Sequence, residues 1–281
     1  MIVNAVKKGD VLVDRIVRKG SYRLKGGEEI RGYISSPPAT TVEPLQIDFP
    51  VLYEDEHLLL ISKPPGLVVH PGSGNSEGTL VSGLLHYCRE IETVGDRLRP
   101  GLVHRLDKDT SGVMLVAKQE HIHRLLTEGF KKHAFHKEYL VLVYGVMREK
   151  TGTISAPVGR HPVHRQKMSV QSHTGKHAVS SWTVLAEFSG KYSLVRVAIE
   201  TGRTHQIRVH LEYLGNPVAG DSVYGGNKRN QGQGFARQML HAARLCFLHP
   251  VTGQEMDVRA PLWPDFAGIL DSFGWKEREG K

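Results

Sequence analysis

Residues 99–118 read RPGLVHRLDKDTSGVMLVAK, a polar cluster followed directly by an apolar run. The apolar run covers Val113 to Val116, and such a run after a polar, glycine-containing segment predicts a loop leading into a buried strand. Gly101 and Gly112 stand at the two ends of this loop, where their backbone freedom allows sharp turns. The pattern therefore predicts a loop that presents side chains at the mouth of a cleft.

One side chain of this loop, Asp107, is a candidate functional residue. It lies between Arg105 and Lys108 in the sequence, and their positive charges favour its ionised form. An ionised carboxylate in a cleft can serve as a nucleophile, a general base or a metal ligand. A surface ion pair in a turn has the same local sequence, so these residues alone leave both interpretations open.

Arg208 is a second charged side chain that needs explanation. The segment 201–204 predicts the start of a helix, with one apolar side formed by Ile207, Leu211 and Leu214. Arg208 lies beside that apolar stripe, where an unpaired guanidinium is costly, so a carboxylate partner is expected. Asp107 is the candidate partner.

Hydrophobic periodicity predicts many strands with interspersed helices. Strands are predicted at 51–53, 58–61, 113–116, 137–144, 178–188, 192–200, 241–248 and 255–259. Helices are predicted at 80–87, from 201, and around two apolar sets: Ile122, Leu125, Leu126, Phe130; and Phe266, Ile269, Leu270, Phe273. Because strand and helix do not alternate regularly, the pattern favours an α+β fold over a doubly wound parallel sheet.

Composition favours a polyanionic partner. The 281 residues include 37 Lys and Arg against 29 Asp and Glu, a formal net charge of +8. No apolar run approaches the roughly 20 residues that cross a bilayer, and the first 25 residues do not resemble a signal peptide, so no membrane association is expected. Cys88 and Cys246 are far apart, which is typical of reduced thiols in a cytoplasmic protein.

Three sequence blocks occur in a fixed order. The first is HRLD at 104–107 with Ser111-Gly112 after it, the second is KEYLVLVYG at 137–145, and the third is TGRTHQIRVH at 201–210. Together they resemble the RluA/RluD-type pseudouridine synthases, over a stretch from about Phe49 to the C-terminus. This resemblance implies a largely antiparallel mixed central sheet, flanked by helices, with the active cleft across it.

The resemblance implies isomerisation of uridine to pseudouridine in RNA, a redox-neutral reaction for which no cofactor is expected. Asp107 is then the essential carboxylate, and attack on the base, attack on the sugar and elimination at the sugar are all open to it. Arg208 is expected to pair with Asp107. Tyr139 is expected to stack on the target base, with its hydroxyl near the C5 proton. Its ordinary pKa near 10 makes it a poor base unless its surroundings assist.

The remaining expected roles concern RNA binding. A base in folded RNA must be extruded before it can react, and Arg105 is expected to fill the gap that it leaves. Phosphate contacts are expected from Lys63, His164, Arg165 and Arg203, and His205 is a further candidate RNA-binding residue.

Three segments are predicted. Residues 1–34 form a basic module with short strands in 8–14 and 21–30, resembling the second half of an S4 RNA-binding domain without its helical first half. Its candidate RNA-binding residues are Arg18, Lys19, Arg23 and Lys25, and a solvated basic arm is the alternative. Residues 35–48, with Pro37-Pro38, form a linker, and residues 49–281 form the catalytic domain.

Metal and nucleotide chemistry find little support in the sequence. The basic loop 161–168 lacks the H-E-x-x-H spacing of a zinc site, and neither G-x-G-x-x-G nor a Walker motif occurs. A metal-dependent nuclease using Asp107 and Asp109 lacks a clear third ligand, and a deaminase fusion lacks its Cys-x-x-Cys pair. No metal is therefore expected.

The favoured function is an RNA pseudouridine synthase acting on large-subunit (23S) ribosomal RNA, as a cytoplasmic monomer. The basic loop 161–168 and the S4-like remnant resemble the branch that acts on this RNA. Transfer RNA is the alternative substrate, since similar catalytic domains serve both. A non-catalytic protein that binds structured RNA is the alternative function, although it would not need Asp107, Tyr139 and Arg208 together.

Overall fold

The computed structural model of the protein describes residues 5–6, 9–32, 42–72, 77–164, 167–171, 174–225, 230 and 234–276. Its internal contacts divide the chain into two units, Met1–Thr41 and Val42–Lys281. No helix within these described ranges is long and apolar enough to cross a membrane.

The described part of the first unit contains a small antiparallel sheet. Its strands are β1 (Val11–Val13), β2 (Ile16–Val17) and β3 (Ile30–Gly32), and β1 lies in the centre. The predicted strand within 8–14 corresponds to β1. Asp14 and Arg15 both have positive φ, and this tight turn returns the chain directly from β1 to β2.

The prediction of a strand over 21–30 is wrong, since only Ile30 lies in a strand. The Glu28 carboxylate accepts hydrogen bonds from the Tyr22 hydroxyl and from the Lys25 backbone amide. These local side-chain bonds close a loop before β3 begins, in place of ladder hydrogen bonds.

The second unit carries the other elements. Its described helices are α1 (Leu80–Tyr87), α2 (Glu120–Lys131), α3 (Gln206–Tyr213) and α4 (Pro264–Ser272), with a 3₁₀ helix at Arg89–Thr93. Its strands are β4 (Val51–Glu54), β5 (Leu58–Lys63), β6 (Gly95–Asp96), β7 (Arg99–Pro100), β8 (Ser111–Ala117), β9 (His136–Tyr144), β10 (Thr151–Ser155), β11 (Val158–Arg160), β12 (Met168–Val170), β13 (Val179–Phe188), β14 (Tyr192–Ile199), β15 (Leu240–Leu248) and β16 (Glu255–Arg259).

Within the described residues, nine strands form the central sheet in the order β10-β13-β14-β9-β15-β8-β5-β4, with β16 paired to β15. Only the pairing of β8 with β15 is parallel, and the other pairings in this sheet are antiparallel. The pairs β6–β7 and β11–β12 form separate two-stranded sheets. The predicted α+β fold with a mixed, largely antiparallel sheet is therefore confirmed.

Helices cover both faces of the central sheet. Alternate residues of β5 and β8 belong to different core clusters, as expected when successive side chains of a strand point to opposite faces. On one face, Tyr139, Val141 and Val143 of β9 join the cluster that contains residues of α1 and α3. Residues of α2 and α4 pack in the clusters of the other face. Tyr139 thus lies on the same face of the sheet as the helix that carries Arg208.

The predicted helices and strands of this unit are observed, most of them with small differences at their ends. The helix predicted to begin in 201–204 is the exception, because α3 begins only at Gln206. One side chain is oriented differently from the prediction. Leu125 of α2 is 49% exposed, whereas Ile122 and Leu126 are buried. The apolar stripe of α2 is therefore narrower than its sequence periodicity suggests.

Gly112 is required where the loop enters β8 beside β15. Its φ is +114°, and an added Cβ would overlap the carbonyl oxygen of Ala242, its partner in the parallel pairing. We expect Gly112→Ala to destabilise the protein by about 3 kcal/mol or more, because backbone strain and overpacking act together. Urea denaturation measures this loss.

Gly190→Ala is the matched control for that substitution. Gly190 also has positive φ, +67°, but its added Cβ would meet nothing within 4 Å. Only the left-handed backbone cost, about 1 kcal/mol, is expected there. Equal losses in the two variants would show that the close approach of β8 to β15 does not constrain position 112.

Candidate active site

Asp107 lies in the loop that precedes β8, and His104 fastens this loop to the strand. His104 Nε2 accepts a hydrogen bond from the Leu115 amide (2.9 Å), and the imidazole stacks on Phe130 of α2 with 5.0 Å between ring centroids. Burial and the charge of Lys137 lower the pKa of His104 to about 3. The first residue of the HRLD block is therefore a neutral structural acceptor.

The ammonium of Lys63 supports the same loop from inside the protein. The Lys63 side chain is fully buried, and Nζ donates hydrogen bonds to the carbonyl oxygens of Pro64, Leu67 and Lys108 at 2.7, 2.9 and 2.8 Å. In its protonated form, Lys63 thus offers three N–H donors to three acceptors. The prediction that Lys63 contacts an RNA phosphate is wrong, because these carbonyls occupy its ammonium away from the surface.

Burial of Lys63 also implies a pH dependence of stability. It lowers the pKa of Lys63 to about 7, from an ordinary value of about 10.4. Between these values the unfolded chain holds a proton that the folded chain has lost, so stability rises with pH. We expect the unfolding free energy of the wild type, relative to Lys63→Met, to increase between about pH 7 and pH 10.

Urea denaturation at several pH values measures that difference. Lys131→Met, which changes an exposed lysine at the end of α2, is the control and should show no such trend. A difference between wild type and Lys63→Met that does not vary with pH would contradict the loss of the Lys63 proton in the folded protein.

Arg237 holds the other side of the loop. Its Nε and Nη2 donate to the Asp265 carboxylate at 2.6 and 3.0 Å, and its Nη1 donates to the Asp109 carbonyl at 2.9 Å. Nη2 also donates to Ser111 Oγ (3.2 Å), which lies 2.9 Å from His241 Nδ1 of β15. This buried arginine connects the Asp107 loop to α4, and sequence reasoning missed it.

The Asp107 carboxylate meets the guanidinium of Arg208 in the cleft. Arg208 Nη1 donates to Asp107 Oδ2 at 2.9 Å, so the predicted pairing is observed. Nε and Nη2 of the same guanidinium donate to the two oxygens of Asp221 at 2.6 and 3.0 Å. Arg208 and Asp221 are buried, so one guanidinium joins the Asp107 carboxylate to a carboxylate in the interior.

These two carboxylates keep the Arg208 charge in place. Burial opposes the charge, but hydrogen bonds and negative charge from Asp221 and Asp107 raise the pKa of Arg208 above its usual value. Asp221 Oδ1 also accepts the backbone amides of Val223 and Tyr224 at 2.8 and 2.9 Å. Sequence reasoning missed Asp221, although a buried guanidinium with five donors needs more than one carboxylate.

Tyr139 of β9 is buried and lines the same cleft. Burial and the negative charge of Asp107 raise its pKa further above the ordinary value of about 10. The phenol of the free protein is therefore protonated at neutral pH, when it can donate a hydrogen bond and stack on a base. These surroundings do not assist proton abstraction by the hydroxyl.

The cleft has a volume of about 550 Å³, including space open to solvent, and gathers the predicted residues Arg105, Asp107, Tyr139, Arg203, His205 and Arg208. Arg105 is exposed, with Nη1 3.4 Å from His70 Nε2. Arg203 Nε donates to the His177 carbonyl at 2.9 Å. His205 Nε2 lies 3.8 Å from Asp107 Oδ2.

The other predicted RNA-contact residues lie outside this lining. His164 is exposed in the connection between β11 and β12, and Arg165 falls outside the described residues. In the first unit, the Arg18 guanidinium lies 4.8 Å from the centre of the Tyr22 ring, and three basic side chains are exposed: Lys19, Arg23 and Lys25.

The described ranges contain no group of three or more His, Cys, Asp or Glu side chains that could hold a metal ion. Arg208 instead provides the positive charge beside Asp107.

The fold and the cleft agree with the similarity of this chain to known proteins. A family model for RNA pseudouridylate synthases matches residues 57–213. The chain belongs to this family, whose members are isomerases acting on RNA. A human RNA pseudouridylate synthase domain-containing protein 4 has a similar structure, with a TM-score of 0.64 and 26% identity, over 80% of this chain and 93% of that one.

Within the family, the relatives place the chain with the RluA/RluD type. It is 41% identical to the ribosomal large subunit pseudouridine synthase D of Xanthomonas campestris, over 95% of this chain and 82% of that protein. It is 40% identical to an uncharacterized RNA pseudouridine synthase of Bacillus subtilis, over 95% of this chain and 86% of that protein. The ribosomal large subunit pseudouridine synthase D of Pseudomonas aeruginosa is 45% identical, over 80% of this chain and 71% of that protein.

Proposed function

We propose that this isomerase acts on uridine in large-subunit (23S) ribosomal RNA, with Asp107 as the essential carboxylate. The observation that carries the site assignment is the position of Asp107, which a buried Arg208 binds in a cleft that also contains Tyr139. The ribosomal substrate is supported by relatives named as ribosomal large subunit synthases and by the net charge of +8.

The reaction rearranges one nucleotide without adding or removing atoms. The N1–C1′ bond breaks, the base turns, and a C5–C1′ bond forms; C5 loses its proton and N1 ends protonated. Asp107 supplies the negative charge that starts this rearrangement at the base or the sugar. Arg208 holds that carboxylate in place, and Tyr139 stacks on the uracil ring and donates its hydroxyl proton in a hydrogen bond.

Binding of the RNA is divided between the cleft rim and outlying basic residues. Arg105, at the exposed rim, takes the space of the extruded base, and Arg203 and His205 contact the flanking nucleotide. His164, Arg165 and the basic module of residues 1–34 bind phosphates farther away. We further propose that the enzyme acts as a monomer, in the cytoplasm with its RNA.

Pseudouridine mapping of all RNA from cells that lack this protein tests the substrate. We expect specific marks in 23S ribosomal RNA to disappear and to return with the wild-type gene. Marks that disappear from transfer RNA instead would overturn the ribosomal assignment but leave the enzyme class unchanged. Complementation with Asp109→Asn should also restore the marks, because this substitution changes a neighbouring carboxylate that lies outside the cleft lining.

A further inference from the structure

We propose that Tyr224 holds His205 in the neutral tautomer that carries its proton on Nε2, so that His205 places a second donor beside Arg208 at the Asp107 carboxylate. Tyr224 is then a positioning residue. The inference rests on the proposed function, which assigns Asp107 as the essential carboxylate.

The hydrogen bonds of the Tyr224 hydroxyl determine the direction of proton donation. The Met168 backbone amide donates to Tyr224 Oη at 2.8 Å, and His205 Nδ1 lies 2.8 Å from the same oxygen. The hydroxyl proton needs an acceptor of its own, since Tyr224 is buried and an unpaired buried donor costs about 1–3 kcal/mol. In the described part of the chain, His205 Nδ1 is the acceptor present, so Nδ1 carries no proton.

The opposite ring nitrogen leads to the same tautomer. His205 Nε2 lies 3.8 Å from Asp107 Oδ2, where an N–H is attracted to the carboxylate and a bare lone pair would be repelled. Arg208 Nη1 donates to this same oxygen. Both N–H groups therefore lie on the Oδ2 side of the Asp107 carboxylate.

The backbone and the charges around His205 support a neutral, fixed ring. His205 has φ +57°, an uncommon left-handed conformation for a residue other than glycine, immediately before α3. Burial lowers the pKa of His205, and Arg208 and Arg105 lower it further, whereas Asp107 and Asp221 oppose this. A neutral ring is important because an imidazolium would pair with Asp107 and reduce its nucleophilicity.

Nitrogen-15 NMR of the histidine side chains tests the tautomer without any assay of activity. The His205 signals are identified by their absence from the spectrum of His205→Gln. We expect a protonated Nε2 and an unprotonated Nδ1 in wild type, and loss of this pattern in Tyr224→Phe. A wild-type ring that is protonated on Nδ1 at neutral pH would overturn the inference, whatever the outcome for the proposed function.

Two substitutions of His205 test which of its ring nitrogens contributes to the reaction rate. The amide nitrogen of His205→Gln reaches the position of Nε2, whereas that of His205→Asn reaches only the position of Nδ1. We expect His205→Asn to lower the single-turnover rate at saturating enzyme about 10- to 100-fold, and His205→Gln to restore most of it. Equal rates in the two variants would contradict a role for the Nε2 donor.

Tyr224→Phe keeps the ring, whose centre lies 4.9 Å from the Arg208 guanidinium carbon, and removes the hydroxyl. His205 Nδ1 is then free to bind a proton, so the pKa of His205 should rise. We expect the acid limb of the pH–rate profile to move to higher pH. A purely structural role would lower the rate equally at all pH values, and that result would overturn the proposal.

Discussion

Replacement of Asp107 by asparagine is expected to lower the rate of pseudouridine formation by about 10⁴-fold or more without weakening RNA binding. The amide has nearly the size of the carboxylate and can still accept from Arg208 Nη1, which donates to Asp107 Oδ2 at 2.9 Å. It has no negative charge with which to attack the base or the sugar or to take a proton. The pairing of Arg208 with Asp221 is kept, so the fold should be retained.

Asp109→Asn is the matched control for this prediction. Asp109 is a carboxylate of the same loop, and its backbone carbonyl, not its side chain, receives the Arg237 hydrogen bond. We expect its rate to stay close to that of wild type. The measurement is release of tritium from C5 of uridine under single-turnover conditions, on an RNA that the wild type modifies. Comparable rates for Asp107→Asn and wild type would refute the assignment of the essential carboxylate.

The elements around the site could be predicted because local sequence carries their periodicity. The continuous apolar run of β8 indicates a strand that is buried on both faces, and alternation in β9 places Tyr139, Val141 and Val143 together. The segment 201–204 indicates that a helix follows, although α3 itself begins only at Gln206. The prediction that Leu125 belongs to the buried face of α2 is wrong. Helical spacing describes a possible apolar face, whereas the packing partners of α2 decide how wide the buried face is.

Apart from the pair of Arg208 and Asp107, the long-range polar pairs could not be predicted in the same way. Lys63 precedes Pro64 in a basic protein and resembles a surface lysine, yet one of its acceptors is the Lys108 carbonyl. The pairing of Arg237 with Asp265 likewise depends on where α4 packs. Such pairs are decided by tertiary geometry, and charge alone does not indicate which carboxylate a buried cation will meet.

Arg208→Lys should give the second large effect, a loss of about 10²–10³-fold in the single-turnover rate. A guanidinium binds Asp221 through two nitrogens and Asp107 through the third, all in one plane. An ammonium is a compact point charge that cannot reproduce this fork, so it cannot hold both carboxylates in their observed positions. Because lysine keeps the positive charge, the loss of rate measures the contribution of the guanidinium geometry.

A stability cost should accompany the loss of activity. Asp221 is fully buried, and leaving a buried charge without its partner costs about 3–5 kcal/mol. Lysine compensates part of this, so urea denaturation should show a smaller loss for Arg208→Lys than for Arg208→Met. Rates are compared at a temperature at which every variant is folded, which separates the catalytic effect from unfolding.

Arg244→Lys provides a control with the same chemistry elsewhere. Arg244 on β15 binds Asp257 through Nε and Nη2 at 2.7 and 2.9 Å, outside the lining of the cleft. That pair is partly exposed, so its contribution to stability is modest, about 1 kcal/mol or less, and its loss should leave the rate unchanged. If Arg208→Lys behaved like Arg244→Lys, the planar fork between Asp107 and Asp221 would not be what orients the essential carboxylate. A selective loss at Arg208 would show that the planar guanidinium, which also binds the interior carboxylate Asp221, orients the essential carboxylate.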